Sequence, residues 1–121
     1  MDASDALNCF ASLGQPTRLA AARLLLSREP HGLPAGEIAR QLGVPQNTMS
    51  NHLGLLSHAG LVASNRQSRL IVYRASTERF RDLIAFLLHD CCSGRPELCN
   101  DLLAVLPSQS KALSTSECCN G

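Results

Sequence analysis

The sequence predicts one small, mostly helical domain that carries a single β-hairpin. Of its 121 residues, 45% are hydrophobic but only 3% are aromatic, so Leu, Ala, Ile and Val must form the core. Such a core favours packed helices over a β-sandwich. Apolar residues recur at helical spacing along most of the chain. Residues 70–73 are instead rich in β-branched and aromatic side chains, which is typical of a strand.

Two helices are predicted in the first quarter of the chain. The first spans residues 5–13 and points three apolar side chains inward, those of Leu7, Phe10 and Ala11. The second begins at Pro16, because a proline at the first helical position sacrifices no hydrogen bond. It is expected to continue up to Pro30, and residues 31–34 are expected to form a loop.

Two further helices, joined by a tight turn, follow this loop. The third helix is predicted over residues 35–42, and the segment Gly43-Val44-Pro45 forms the turn. The fourth helix is predicted over residues 45–59, with a buried face at i, i+4 and i+7 formed by Met49, Leu53 and Leu56. Two short helices joined by a three-residue turn that contains glycine indicate a helix–turn–helix.

The outer face of the fourth helix carries small polar side chains and no acidic residue. Asn and Gln side chains can read adenine in the major groove through two hydrogen bonds. We therefore expect this helix to contact DNA, and the alternative is an ordinary solvated helix face. The predicted contacts are Gln46, Asn47, Thr48, Ser50, Asn51 and His52.

A β-hairpin is predicted directly after the fourth helix. Residues 61–65 and 69–75 are interpreted as its strands, and the short polar segment 66–68 as the break between them. This places Arg66 and Arg69 at the tip of the hairpin. Arginines at the tip of such a wing can enter the minor groove or bind phosphates.

The charge pattern supports the same interpretation, although the net charge of +1 does not. No acidic residue occurs between Glu37 and Glu78, and four arginines lie inside this window, at positions 40, 66, 69 and 74. A locally cationic face is typical of a phosphate-binding module. Chance clustering of the arginines is the alternative.

The last predicted helix spans residues 77–90 and carries a broad apolar stripe, formed by Phe80, Leu83, Ile84, Leu87 and Leu88. Because Phe86 lies off this stripe, the helix has apolar surface left for a partner. The expected fold is a winged helix–turn–helix with the order α-α-α-α-β-β-α. A DNA-binding domain of this size normally works as a dimer, and the first and last helices are the predicted interface.

We expect this domain to span residues 1–99, with the metal-ligating residues at its C-terminal end. Residues 100–121 are expected to form a short helical turn and a disordered tail that contains cysteines. No signal peptide and no apolar stretch long enough to span a membrane is visible, which predicts a cytoplasmic protein. Its six cysteines are then expected to be reduced ligands or redox sensors rather than a disulfide framework.

The chain resembles the ArsR/SmtB family of metal-responsive winged-helix repressors. The resemblance covers approximately residues 5–99 and depends on the segments LGQPTRLAAARLLL and GEIARQLGVPQNTMSNHLGLLSHAGLV, with Tyr73-Arg74 closing the hairpin. The combination of SNHL with HAGLV is specific to this kind of helix–turn–helix. The resemblance implies a homodimer that occupies double-stranded operator DNA and leaves it when an inducer binds.

Three cysteines indicate where that inducer binds. Cys91 and Cys92 end the last predicted helix, and Cys99 follows after a Ser-Gly-Arg-Pro turn. Three thiolates suit a soft ion, and As(III) and Sb(III) prefer three sulfur ligands, whereas structural zinc prefers four ligands. The Cys-Cys pair also resembles the arsenite-sensing members whose site lies at the end of the last helix. The predicted inducer is therefore As(III), with Sb(III) as a second candidate.

Other interpretations of these cysteines stay open. Cys91 can be a packing residue, and the adjacent pair can be a redox switch. Cys118 or Cys119 can supply the third sulfur instead of Cys99. The same repressor can respond to a soft divalent metal such as Cd, Pb or Zn. A metal-buffering protein or a thiol enzyme is less favoured, because the sequence has no C-x-x-C motif and no phosphate loop.

Overall fold

The computed structural model of the protein describes residues 1–91. Cys92, Cys99 and the predicted tail at residues 100–121 lie outside the described residues, as does the predicted domain boundary. Residues 1–83 form one compact unit, and the described residues 84–91 belong to a second. The helices and strands, in chain order, are α1 Ala3–Leu13, α2 Pro16–Ser27, β1 Leu33–Pro34, α3 Ala35–Leu42, α4 Gln46–His58, β2 Val62–Gln67, β3 Leu70–Ala75 and α5 Thr77–Cys91. This order confirms the predicted winged helix–turn–helix class and adds one strand.

The core of the first unit is formed by side chains from all of its helices. The largest side chains that are fully buried are Leu25, Ile38, Met49, Leu53, Leu56, Leu61 and Cys9. The predicted inward face of α4 is therefore confirmed. Burying a side chain of this size contributes about 1.5–3 kcal/mol relative to leaving it exposed. These contacts hold the outer face of α4 in a defined orientation.

The predicted inward face of α1 is wrong. Leu7 is 67% exposed and Phe10 is 42% exposed, and Ala11 is exposed as well. The buried residues are the smaller Ala6, Cys9 and Ser12. A face of small side chains lets the backbone of α1 approach the end of α4, where the Cys9 thiol donates to the Ala59 carbonyl at 3.5 Å. The helix also begins earlier than predicted, because the Asp2 side chain caps it by accepting from the backbone N–H of Asp5.

The segment predicted as a loop at residues 31–34 contains the third strand of the sheet. Leu33 pairs with Tyr73 and Pro34 pairs with Val72, and the antiparallel strand order is β1-β3-β2. A proline is tolerated there because β1 is an edge strand. A two-residue strand leaves no periodic pattern in the sequence, so only its pairing with β3 reveals it.

The hairpin turns later than predicted, and the break between its strands is two residues instead of three. Its strands pair without a break from Val62 opposite Ala75 to Gln67 opposite Leu70. The turn therefore consists of Ser68 and Arg69, and Ser68 adopts a positive φ of 61°. The polar residues at the end of β2 suggested a loop, but both faces of the strand are exposed beyond Val62 and need no apolar side chains.

Helix α5 begins at Thr77 as predicted and extends to Cys91. The exposure of its apolar side chains is uneven. Leu83 is buried at 4% exposure, whereas Ile84 is 55% exposed and Leu87 is 43% exposed. Of the remaining apolar side chains of the helix, Phe80, Phe86 and Leu88 are half-buried.

Candidate nucleic-acid interface

The turn between α3 and α4 orients the outer face of α4. Gly43 ends α3 with a φ of 67°, a left-handed conformation that glycine adopts without a steric penalty. The next N–H group, of Val44, donates to the Ala39 carbonyl at 3.0 Å, which closes the end of the helix. Pro45 then caps α4 with no side-chain hydrogen bond, and no acidic residue lies in the first turn. This helix start favours an anion such as a phosphate.

The outer face of α4 carries the polar side chains that were predicted from the sequence to contact DNA. Gln46, Asn47, Thr48, Ser50 and Asn51 are all exposed, whereas His52 is half-buried. The Asn47 side chain accepts from the N–H of Thr48 at 2.8 Å. No acidic residue lies on this helix, so nothing on it repels a phosphate backbone. The face can donate to and accept from the edges of bases.

Two of the four arginines in the acid-free window are neutralised by acids outside it. Arg40 forms an ion pair with Glu37 one turn earlier, and Arg74 lies 2.9 Å from the Glu29 carboxylate. Hydrogen bonds to Glu37, first from Arg40 and then from Gln41, lower the pKa of that carboxyl to about 2. The predicted cationic face is therefore smaller than the window suggested.

The two remaining arginines of the window lie on the hairpin. Arg66 lies on β2 opposite Ile71, and Arg69 lies in the turn. Neither forms an ion pair with any residue of the described part of the chain, and both are exposed. These are the arginines that the sequence predicted as wing contacts.

The helix start and the wing enclose one cleft of about 230 Å³. Gln46 and Ser50 of α4 line it from one side and Arg69 from the other. The Gln46 side chain also lies over the start of α3, where a Cβ added at Gly36 would be 3.3 Å from its Oε1. The structure thus brings three of the predicted contact residues together in one concave surface.

One polar contact near this surface was not predicted from the sequence. Arg18 of α2 places its Nη1 atom 3.2 Å from Nδ1 of His52. Its Nε group also donates to the Ser12 carbonyl at 2.6 Å. No pattern in the sequence signals this contact, because the two side chains are 34 residues apart.

Only one of the three predicted metal-ligating cysteines lies within the described residues. Cys91 is the last residue of α5. Between residues 1 and 91, no group of three or more His, Cys, Asp or Glu side chains is arranged to hold a metal ion. Cys9 is a free, fully buried thiol, as expected for a packing residue. The three-cysteine site stays a prediction.

None of the helices in the described range is long and apolar enough to cross a membrane.

A family model described as a helix-turn-helix domain matches residues 13–65. The chain is 30% identical over 91 residues to a biofilm growth-associated repressor of Xylella fastidiosa, covering 75% of this chain and 77% of the relative.

The chain is also similar to solved structures, of which two are given as examples. An ArsR-like transcriptional regulator from Rhodococcus sp. RHA1 superposes with a TM-score of 0.66 at 25% identity, covering 88% of this chain and 92% of the other. A possible transcriptional regulator for arsenical resistance gives a TM-score of 0.59 at 26% identity, covering 66% and 80%. The relative is named as a repressor and the two structures as an ArsR-like and a possible transcriptional regulator. The chain therefore belongs to the ArsR/SmtB-type winged helix–turn–helix transcriptional regulators.

Proposed function

We propose that this regulator is a homodimeric repressor that binds operator DNA through α4 and the wing and leaves it when As(III) binds Cys91, Cys92 and Cys99. The observation that supports DNA binding is the exposed, acid-free polar face of α4 above three fully buried side chains. Sb(III) is the second candidate inducer. One of the similar structures is described as a possible regulator for arsenical resistance, which favours arsenic over other soft ions.

In this proposal, α4 enters the major groove and the wing follows the backbone. Gln46, Asn47 and Asn51 have the amide groups that read adenine, and the hydroxyl groups of Thr48 and Ser50 contact bases or phosphates. Arg66 and Arg69 supply positive charge that is free to neutralise phosphates. Charge-neutralising contacts make the affinity depend on salt, so binding should weaken as the ionic strength rises.

Two helices offer apolar surface for the second subunit. On α1, Leu7 and Phe10 are more than two-fifths exposed. On α5, Ile84 and Leu87 are exposed to a similar extent. Exposed apolar groups of this size are best explained by a partner that covers them. A symmetric dimer places two copies of α4 on a palindromic operator.

The proposed inducer site supplies three soft thiolates to one trivalent ion. Neighbouring residues on a helix point about 100° apart, so Cys91 and Cys92 could not both reach one small ion if both were helical. Capture is therefore expected to unwind the last turn of α5. Because α5 belongs to the proposed dimer interface, this change alters the spacing of the two α4 helices. A coupling free energy of about 1–3 kcal/mol is typical of such linked equilibria.

The test measures binding of the reduced protein to its upstream DNA by fluorescence anisotropy, with and without arsenite. Arsenite should release the wild-type protein but not the Cys91→Ser or Cys92→Ser variant, both of which should keep wild-type affinity for DNA. Cys9→Ala is the matched control, since Cys9 is a buried cysteine outside the proposed site, and it should still respond. X-ray absorption on the arsenic adduct should count three sulfur ligands.

Separate titrations distinguish the alternatives. Loss of the arsenite response in Cys99→Ser, but not in the double variant Cys118→Ser/Cys119→Ser, assigns Cys99 as the third ligand. Release by cadmium or by diamide, with no effect of arsenite, would replace the proposed inducer with a divalent metal or an oxidant. Failure of the reduced protein to bind any upstream DNA would favour a metal-buffering protein or a thiol enzyme.

A further inference from the structure

The guanidinium group of Arg18 connects the end of α1 with the middle of α4. Its Nε group donates to the Ser12 carbonyl at 2.6 Å, and its Nη1 atom lies 3.2 Å from Nδ1 of His52. Ser12 is in the last turn of α1, where carbonyl groups have no partner within the helix. The Ser12 hydroxyl in turn donates to the Cys9 carbonyl at 2.9 Å. The guanidinium is therefore held from both sides.

The contact between Arg18 and His52 determines where the imidazole proton lies. A guanidinium can only donate hydrogen bonds, so Nδ1 of His52 must be the acceptor. An imidazole that accepts at Nδ1 is neutral and carries its proton on Nε2. Within the described residues, no group forms a hydrogen bond with this Nε2 atom. The ring is thus a hydrogen-bond donor without a partner in the described protein.

We infer that Arg18 is a positioning residue that presents the Nε2–H group of His52 to a hydrogen-bond acceptor on DNA. This inference rests on the proposed function, in which α4 contacts the operator. His52 directly follows the exposed Asn51 on that helix and is itself half-buried. The acceptor is either a base atom of the major groove, such as guanine N7 or O6, or a phosphate oxygen.

Two replacements of His52 separate the two ring nitrogens. Asparagine places a polar atom near the position of Nδ1 and can still accept from Arg18, but it has no donor at the position of Nε2. Glutamine places an amide N–H group near the position of Nε2 and does not need Arg18 to define its protonation. His52→Asn should therefore weaken binding to upstream DNA about three- to tenfold, as for one neutral hydrogen bond, whereas His52→Gln should stay near wild type.

A double-mutant cycle tests the role of Arg18. Arg18→Gln should weaken DNA binding in the wild-type background but not in the His52→Gln background, because only the histidine depends on Arg18 for its tautomer. Loss of the contact with Ser12 should lower the melting temperature equally in both backgrounds. If Arg18 had only a structural role, Arg18→Gln would weaken DNA binding equally in the wild-type and His52→Gln backgrounds. That result would overturn the inference.

Nitrogen-15 spectra of the histidine rings in the free protein give a readout that needs no DNA. At about pH 8.5, where histidine is ordinarily neutral, His52 should show a single tautomer protonated on Nε2 in the wild type and a mixture in Arg18→Gln. A mixture already present in the wild type would contradict the inference. If the spectra agree but no protein variant binds upstream DNA, the proposed function fails, and the inferred DNA contact fails with it.

Equilibrium binding to operator and to random-sequence duplexes identifies the acceptor. A loss in His52→Asn that is confined to the operator indicates a base atom, whereas an equal loss on both duplexes indicates a phosphate oxygen. Wild-type affinity of His52→Asn for both duplexes would show that the Nε2–H group contacts no DNA.

Discussion

Replacing Asn51 with alanine should stabilise the folded protein and weaken its binding to DNA. The Asn51 side chain is exposed on the outer face of α4, and no hydrogen bond holds it within the described residues. Asparagine is a poorer helix former than alanine, because its amide competes for backbone hydrogen bonds. The same face carries Gly54, whose Cβ would meet nothing within 4 Å. Both positions thus tolerate a methyl group without steric conflict.

The expected magnitudes follow from helix propensity and from base recognition. Asn51→Ala should stabilise the fold by about 0.6 kcal/mol and Gly54→Ala by about 1 kcal/mol. For a domain of about 60–100 residues, 1 kcal/mol raises the melting temperature by about 4–8 °C. If Asn51 reads a base through two hydrogen bonds, its loss costs about 1–3 kcal/mol, or about 5- to 150-fold in affinity, for each half-site that the dimer occupies.

Thermal unfolding followed by circular dichroism measures the first effect, and anisotropy with upstream DNA measures the second. Both variants should have a higher melting temperature than the wild type, and Asn51→Ala should bind upstream DNA more weakly. Unchanged DNA binding by Asn51→Ala would refute the assignment of this face to base reading. A lower melting temperature for either variant would refute the conclusion that these positions are free of packing constraints.

Three further predictions concern stability. Gly60→Ala should destabilise the fold more than Gly43→Ala. Both glycines have a positive φ, but only at Gly60 would the added Cβ lie close to another side chain, 2.9 Å from Nε of Arg79. Urea unfolding measures the difference in the free energy of unfolding. Leu53→Ala should cost about 2–5 kcal/mol in the same assay, because the side chain is fully buried. The Glu37 ion pair lowers a carboxyl pKa from 4.5 to about 2, so its stabilising effect is present above pH 4.5 and is lost as the pH falls towards 2. The small difference in melting temperature between wild type and Glu37→Gln should therefore shrink across that interval.

Each of these expectations has a result that would contradict it. Equal losses in the two glycine variants would mean that the neighbouring side chain moves away at no cost. A loss below about 1 kcal/mol for Leu53→Ala would mean that the core collapses around the missing atoms. A pH-independent difference for Glu37→Gln would remove the ion pair as its cause.

The helix–turn–helix could be predicted from the sequence because its signals are local. The i, i+4, i+7 spacing of Met49, Leu53 and Leu56 defines which face of α4 is buried, and the glycine at position 43 defines where α3 ends. The polar outer face follows from the buried one, because the two lie on opposite sides of one helix. The predicted DNA contacts needed no knowledge of distant residues.

Helix α1 could not be predicted in the same way. Its sequence offers two candidate inner faces, one with large apolar side chains and one with small ones. Hydrophobicity favours Leu7 and Phe10, but the close approach to the end of α4 selects the face that carries Cys9. Only the shape of the neighbouring elements decides between the two faces.

The sequence by itself determined the order of the helices, the hairpin and the face of α4 that is proposed to contact DNA. Each of these depends on residues that lie close together in the chain. The tertiary structure decided the orientation of α1, the pairing of β1 with β3, and which arginines stay free of an ion pair. Arg74 meets Glu29 across 45 residues, and Arg18 meets His52 across 34. Contacts between residues so far apart in the chain exist only once the core has brought their elements together, so no local pattern encodes them.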